Sequence, residues 1–253
     1  ITPVEGYPDY HLVKTTPPEK QTKPETAPES KALIGHPSAI IDLLEQLERF
    51  TPFLPMGLLS RLRDDPSAAS FRGEHRLVAT LFANVDGISD LIEQLGEAQE
   101  ALIVDCLNSY VIAMRDAIAP FGGVINKIDL YNHGDKLMVT FGAPLAHEDD
   151  AERAARAALA MQKRMKTLAD LLAQKVGLPN WRLEQRIGIS YGYVFAGYVG
   201  SSWRHEYTVM GDAVNLAARL MSVAEAGQVI VRPDVRLHVD GVLRVVQRRE
   251  VRL

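Results

Sequence analysis

The chain has little from which to build a covalent or metal framework. Its 253 residues include one cysteine, Cys106. That excludes an internal disulfide and any multi-cysteine zinc site. His75, His133, His147 and His205 are scattered without metal-ligand spacing. No apolar run approaches the ~18 residues of a membrane span. Positive charge is not in excess: 28 Lys and Arg against 32 Asp and Glu give a net charge of −4, which argues against a broad nucleic-acid footprint. The first residues, Ile-Thr-Pro-Val-Glu, have neither the basic start nor the apolar stretch of a signal peptide. A start at Ile and not Met reads as a fragment or a processed product. There is no internal repeat. Gly188, Gly192, Gly197 and Gly200 form no phosphate-cradling loop and read as strand bends or places of close backbone approach. Together these features are compatible with a reducing cytoplasm.

Apolar residues make up 47% of the chain and charged residues 24%, enough for an ordinary core. The length fits one α/β domain of about 200 residues plus a tail. Seven of the 14 prolines fall at or before Pro37. Thr, Glu and Lys fill the spaces from Thr15 to Lys31, so residues 1–37 read as a flexible, proline-rich linker. Residues 38–73 read as a helical lead-in. Ser38 caps a helix bearing Ile40, Ile41, Leu43, Leu44, Leu47 and Phe50, and a short helix over Met56–Leu62 follows.

From residue 74 to residue 253 the pattern is that of one domain. Arg76–Val85 is expected to be a strand, and Ile88–Ala119 a long helical region. Val124–Tyr131 and Lys136–Phe141 read as a hairpin around Asn132–Asp135. Glu148–Gln174 is expected as a second long helix, capped by its own acids. Arg182–Tyr191 and Tyr193–Val199 read as strands separated at Gly192. Glu206–Met210 is a further strand, Asp212–Ala224 a helix, and Gln228–Arg232 and Val242–Leu253 close the set. The order β-α-β-β-α-β predicts a ferredoxin-like split βαβ core in an α/β (α+β) domain, a mixed or antiparallel sheet with helices packed on it. Cys106, inside an apolar helix, is expected in the core.

Four segments carry chemistry: Leu81–Gly87, Gly122–Lys127, His133–Gly142 and Tyr207–Arg219. Asn215 and Arg219 are four apart on a predicted helix and share a face. An amide and an always-charged planar guanidinium suit a ribose and a developing phosphate charge; a solvated helix face is the plain alternative. Asp86 lies two residues beyond Asn84, on the same side of an extended strand, although Val85-Asp86-Gly87 reads as already turning. Asp135 alone would be an ordinary turn aspartate. Lys127 alone would be an exposed strand-edge lysine.

In this order the four segments resemble the catalytic domain of class III nucleotide cyclases, from about Glu74 to the C-terminus. The resemblance implies conversion of ATP to 3′,5′-cyclic AMP and pyrophosphate at a head-to-tail dimer interface. It assigns Asn215 to orienting the ribose and Arg219 to the transition state. It places Val85, Asp86 and Gly87 against the substrate, and Lys127 and Thr208 on the adenine edge, one donor and one acceptor. Two Mg²⁺ ions, or Mn²⁺ or Ca²⁺, would be held by Asp135 and by the first-strand position. Here that position is Asn84, which has no charge to offer a hard cation. Asp135 also follows Lys127 by eight residues where the family has four. Both departures resemble the second catalytic half of soluble, bicarbonate-responsive adenylyl cyclases, whose other half brings the metal aspartates. The expected partners are therefore ATP and either a second copy or another cyclase half, with no nucleic acid. The expected location is the cytoplasm. A catalytically inactive, regulatory cyclase-homology domain is the second reading, and a pure interaction module the third. In the family the chain continues past Val242–Leu253 into a strand bearing a phosphate-binding lysine.

Overall fold

From Ala79 onward, every second residue of the long strand over Glu74–Asp86 belongs to one apolar cluster: Ala79, Leu81, Ala83 and Val85. Val78, Thr80, Phe82, Asn84 and Asp86 alternate with them, so they take the opposite face, as the two-residue period of a strand dictates. This alternation organises the molecule. The computed structural model describes residues 2–4, 7–12, 37–50, 73–129, 135–178, 180–201 and 204–243.

The chain divides into two compact units, Ile1–Glu45 and Gln46–Leu253. In the first, β1 (Thr2–Val4) and β2 (Tyr7–Leu12) pair antiparallel. Part of the stretch read as flexible linker is therefore a hairpin. Helix α1 (Pro37–Phe50) starts one residue before Ser38, so the serine expected as its cap lies inside the first turn, and the helix runs past Glu45. The helix expected over Met56–Leu62 lies outside the described residues.

The second unit is built on an antiparallel sheet, order β4-β5-β3-β6-β7: β3 (Glu74–Asp86), β4 (Val124–Asp129), β5 (Asp135–Phe141), β6 (Glu184–Ser201) and β7 (Arg204–Met210). A short strand β8 (Val229–Val231) runs parallel to β6. Helices α2 (Ile88–Leu95), α3 (Glu100–Ile118), α4 (Asp150–Val176) and α6 (Pro233–Val239) cover this face and join the larger cluster, to which β5 adds Leu137, Val139 and Phe141 and β6 adds Ile187 and Ile189. On α4 the buried positions include Ala154, Ala157 and Ala158, small residues that let a helix lie close to its neighbours. Cys106 is buried in this core, and burial pushes its thiol pKa up.

Helix α5 (Asp212–Ser222) packs on β6 and β3 from the other face, with Ala213 and Val214 in the second cluster beside Val78, Met138 and Val194. Gly188 permits this: a Cβ there would collide with the backbone of Ala217 and Met221. Ser190 donates to the carbonyl of Ala213 and ties the start of α5 to β6. The close-approach reading of Gly188 holds.

Three expectations need correction. The helical region from Ile88 is interrupted at Gly96, whose φ of 60° ends α2. Gly192 does not divide two strands: β6 runs unbroken for 18 residues, paired with β3 on one side and with β8 and then β7 on the other. The ladder with β3 is continuous from Glu184 to Ala196 and pairs Gly192 with Val78, and its bonds outweigh a glycine's local cost. Residues 85–86 do not turn either; β3 continues through Asp86, and the turn falls at Gly87, whose φ is 108°. Helix α6 has no counterpart in the sequence reading. Residues 130–134, the expected hairpin tip, lie outside the described residues.

Candidate active site

Two edges of the sheet that are not neighbours in the strand order meet over the face carrying the smaller cluster. Asn126 Nδ2 on β4 donates to the carbonyl oxygen of Tyr207 on β7 at 3.1 Å. Lys127 Nζ pairs with Glu206 at 3.1 Å. A local irregularity makes this possible. The β4–β5 register passes from Ile125 opposite Val139 to Lys127 opposite Met138, which leaves Asn126 as an extra residue. A bulge of this kind re-aims the side chain that follows. Without it Lys127 would follow the parity of Ile125, toward the helix-covered core. With it Lys127 shares the face of Met138, a member of the smaller cluster.

Thr208 is buried on β7, opposite Gly197. It lies two residues beyond Glu206, so both take one face of the strand. The Lys127–Glu206 pair thus brings the donor expected on the base edge to the strand that carries Thr208. The spacing in sequence did not reveal Glu206 as the lysine's partner. Asn126 Oδ1 is buried with no hydrogen-bond partner among the described residues.

At the other end of this face β3 runs out at Asp86. Asn84 is 1% exposed, and its Nδ2 donates to Asp86 Oδ1 at 2.7 Å. Asp86 Oδ2 faces Arg186 at 3.5 Å. In the sheet Asn84 stands opposite Lys136 on β5 and Arg186 on β6, and Val85 stands opposite Asp135. The strand register thus pairs Asp135 with Val85, one residue past the first-strand position. Gly87 accepts a hydrogen bond from Trp181 Nε1 at 2.7 Å, which fixes the turn after β3. A cavity of about 290 Å³ opens there, lined by Asp86, Gly87, Asp90, Trp181, Arg182 and Glu184 among others. The sequence reading missed Arg186; its signal is the register with Asn84, which only the paired sheet displays.

Asn215 and Arg219 lie on the exposed face of α5, opposite the buried Ala213, Ala217 and Leu220. Among the described residues neither side chain has a hydrogen-bond or ion-pair partner. An amide and a guanidinium one turn apart, held on a helix that Ser190 and Gly188 lock to the sheet, form a rigid pair of donors facing outward.

At the head of α4 the acids act differently from expectation. Asp149 occupies the N-cap position, but its carboxylate pairs with Arg153, which draws its pKa down. Buried Asp150 instead accepts from the backbone N–H of His147 at 2.8 Å.

A ferredoxin-like sheet with one face closed by helices, and an amide–guanidinium helix on the other, defines a nucleotide-handling α+β domain. Residues 72–253 match the adenylate and guanylate cyclase catalytic domain, and the chain belongs to that family. It is 34% identical over 144 residues to adenylate cyclase 1 of Rhizobium meliloti, covering 56% of this chain and 20% of that protein. An uncharacterized protein of Mycobacterium tuberculosis is 34% identical over 156 residues, 61% of this chain and 24% of the other. The chain spans about a quarter or less of the length of these relatives. Among solved structures, the adenylyl cyclase CyaB of P. aeruginosa is 32% identical with a TM-score of 0.59, covering 68% of this chain and 84% of that one. The guanylyl cyclase Cya2 is 30% identical with a TM-score of 0.56, covering 71% and 88%.

Cyclases of this family generally use divalent metal ions. The described residues at the end of β3 do not fit one. Asn84 turns an N–H donor, not a lone pair, toward Asp86, and Asp86 is already shared with a guanidinium. Among the described residues no group of three or more His, Cys, Asp or Glu side chains could hold a metal. Nor, among them, is any helix long and apolar enough to cross a membrane.

Proposed function

We propose that this domain is the half of an adenylyl cyclase that reads the base and stabilises the transition state, working in the cytoplasm on ATP. The observation that carries the reading is the clasp between β4 and β7. It puts Lys127 on the face of Met138 and against the strand that bears buried Thr208. Adenine offers a ring-nitrogen acceptor beside an amino donor. A lysine ammonium and a threonine hydroxyl answer that edge in order. Guanine would set its own ring N–H against the lysine donor.

Arg219 stays charged throughout and meets the negative charge that grows on the α-phosphate as the ribose 3′-oxygen attacks. Asn215, one turn earlier on the same face, orients the ribose so that this oxygen is in line. Both side chains face outward, so the substrate they serve is shared with a second subunit. Asn84 supports a complementary half, not a second copy, as the owner of the metal carboxylates. This is the arrangement of the second catalytic half in the soluble tandem cyclases. The same asparagine supports the rival reading, a regulatory cyclase-homology domain without turnover.

Calorimetric titration of the chain with ATP and GTP, followed by chromatography of products after mixing with a cyclase half that bears both metal aspartates, tests the proposal. The expected result is preference for ATP and cyclic AMP only in the mixture. Equal affinity for GTP would remove the adenine assignment. ATP binding with no product under any pairing would favour the regulatory domain.

A further inference from the structure

The turn after β3 is held from outside its own strand. Gly87 sits at a φ of 108°, which a side chain would strain. A Cβ there would also stand 2.1 Å from the carbonyl oxygen of Arg182, so the chain entering β6 lies directly against the turn. The carbonyl oxygen of Gly87 accepts two hydrogen bonds. One comes from the backbone N–H of Leu91 at 3.1 Å and closes the first turn of α2. The other comes from Trp181 Nε1 at 2.7 Å. Trp181 is 3% exposed and belongs to the larger apolar cluster, so close packing fixes the ring that carries this donor. An indole N–H can only donate, and left unpaired in a fold it is costly. The acceptor it has found is the peptide where the strand bearing Asn84 and Asp86 ends. Among the described residues no side chain caps α2. Trp181 also lines the cavity that opens at this turn, beside Asp86, Gly87 and Asp90.

We propose that Trp181 is a positioning residue of the candidate site. Through the carbonyl of Gly87 it holds the peptides of Val85, Asp86 and Gly87 in the orientation in which they meet substrate, and it contributes no substrate contact of its own. The inference deepens the nucleotide reading above and rests on it for what the turn meets. Its physical content is separate. Without the indole N–H, Gly87 keeps only the bond from Leu91, at a helix end where local opening is easy. The turn then gains freedom that a ligand must remove on binding. A tryptophan that merely filled the core would act on stability alone. A positioning tryptophan acts on the turn and on affinity beyond its effect on stability.

The test compares the full chain with Trp181→Phe, which keeps an apolar ring and loses the donor, and with Leu137→Ala, a core deletion on another strand. The first measurement is amide hydrogen exchange at Leu91 in the absence of nucleotide. Trp181→Phe should speed exchange there by about three- to tenfold relative to the amides of α4, the scale of one hydrogen bond. Leu137→Ala should not change that ratio. An unchanged ratio in Trp181→Phe would overturn the proposal whatever the chain binds. The second is calorimetric titration with ATP. Trp181→Phe should raise the Kd by about three- to tenfold, and Leu137→Ala should leave the affinity of the folded fraction as it was. Equal affinity of wild type and Trp181→Phe would overturn the proposal. Trp181→His, which keeps a ring N–H, should fall between in both measurements, and it carries the comparison if Trp181→Phe does not fold. A wild-type chain that binds no ATP would remove the nucleotide reading and, with it, the positioning role; exchange at Leu91 would still report whether Trp181 holds the turn.

Discussion

The two faces of the central sheet have been put to different uses. One face presents Ala79, Leu81, Ala83 and Val85 of β3 to four helices and contains almost no polar atoms. One exception is the buried Tyr110 hydroxyl, which donates to Gln185 Oε1 at 3.0 Å. The other face carries a smaller apolar cluster around Met138, Val194 and Tyr207, with Thr80 and Asn84 buried on the same side of β3 as its Val78. The proposed chemistry concerns that face, its strand ends or the helix that covers it. The contrast teaches that the first face holds the sheet in shape, while the second spends apolar area on polar groups. Deletions should therefore separate cleanly: stability without recognition on one side, recognition with little stability on the other.

The largest effect belongs to the closed face. Leu137→Ala removes a side chain that is 1% exposed. It should lower unfolding free energy by about 2–5 kcal/mol, read from urea melts. Nucleotide affinity of the fraction that remains folded should not change. A loss of affinity with unchanged stability would break the comparison.

Arg219→Ala comes next. In a reconstituted pair, turnover should drop by about 10²–10³, the scale of one removed transition-state donor. The melt should stay where it was, because the side chain is exposed and has no partner among the described residues. Lys127→Glu should weaken ATP binding at least about tenfold, since an acceptor then meets an acceptor. It also sets a carboxylate against Glu206 where an ion pair stood. Equal ATP affinity in the two proteins would return Lys127 to an ordinary strand-edge lysine. Thr208→Ala should cost about 1 kcal/mol of ATP binding, measurable by the same calorimetry. The smallest effect returns to the closed face. Cys106 has a raised thiol pKa through burial, so it should resist a thiol reagent at pH 8 while the chain is folded and react once urea unfolds it. Rapid modification of the native chain would show that this face opens.

Much of this division was legible in the sequence. Period-two alternation puts Asn84 and Asp86 on one side of an extended strand, but Val85-Asp86-Gly87 reads as a turn in the sequence; β3 runs on through Asp86, and a hydrogen bond joins the two side chains. The four-residue spacing of Asn215 and Arg219 predicted a shared face, and α5 provides it. The expected core position of Cys106 holds. What was hidden depends on register. Nothing local marks Asn126 as a bulge, yet that one extra residue decides which face Lys127 serves. Arg186 draws its meaning from standing opposite Asn84, a pairing set by residues about a hundred positions apart in the chain. Gly192 looked like a break because its own propensity disfavours strand, and the neighbours that override it come from β3.

The account stands most directly on whether the open face of this chain is half of a site. Cyclic AMP formation should be measured with the chain alone, and then with a cyclase half that carries both metal aspartates and lacks its own Asn/Arg pair. The account predicts little or no product from the chain alone and magnesium-dependent product from the mixture, lost when Arg219→Ala is introduced here. Robust turnover by the chain alone, abolished by Asp135→Ala or Asp86→Ala, would contradict it and make the domain a self-sufficient homodimer.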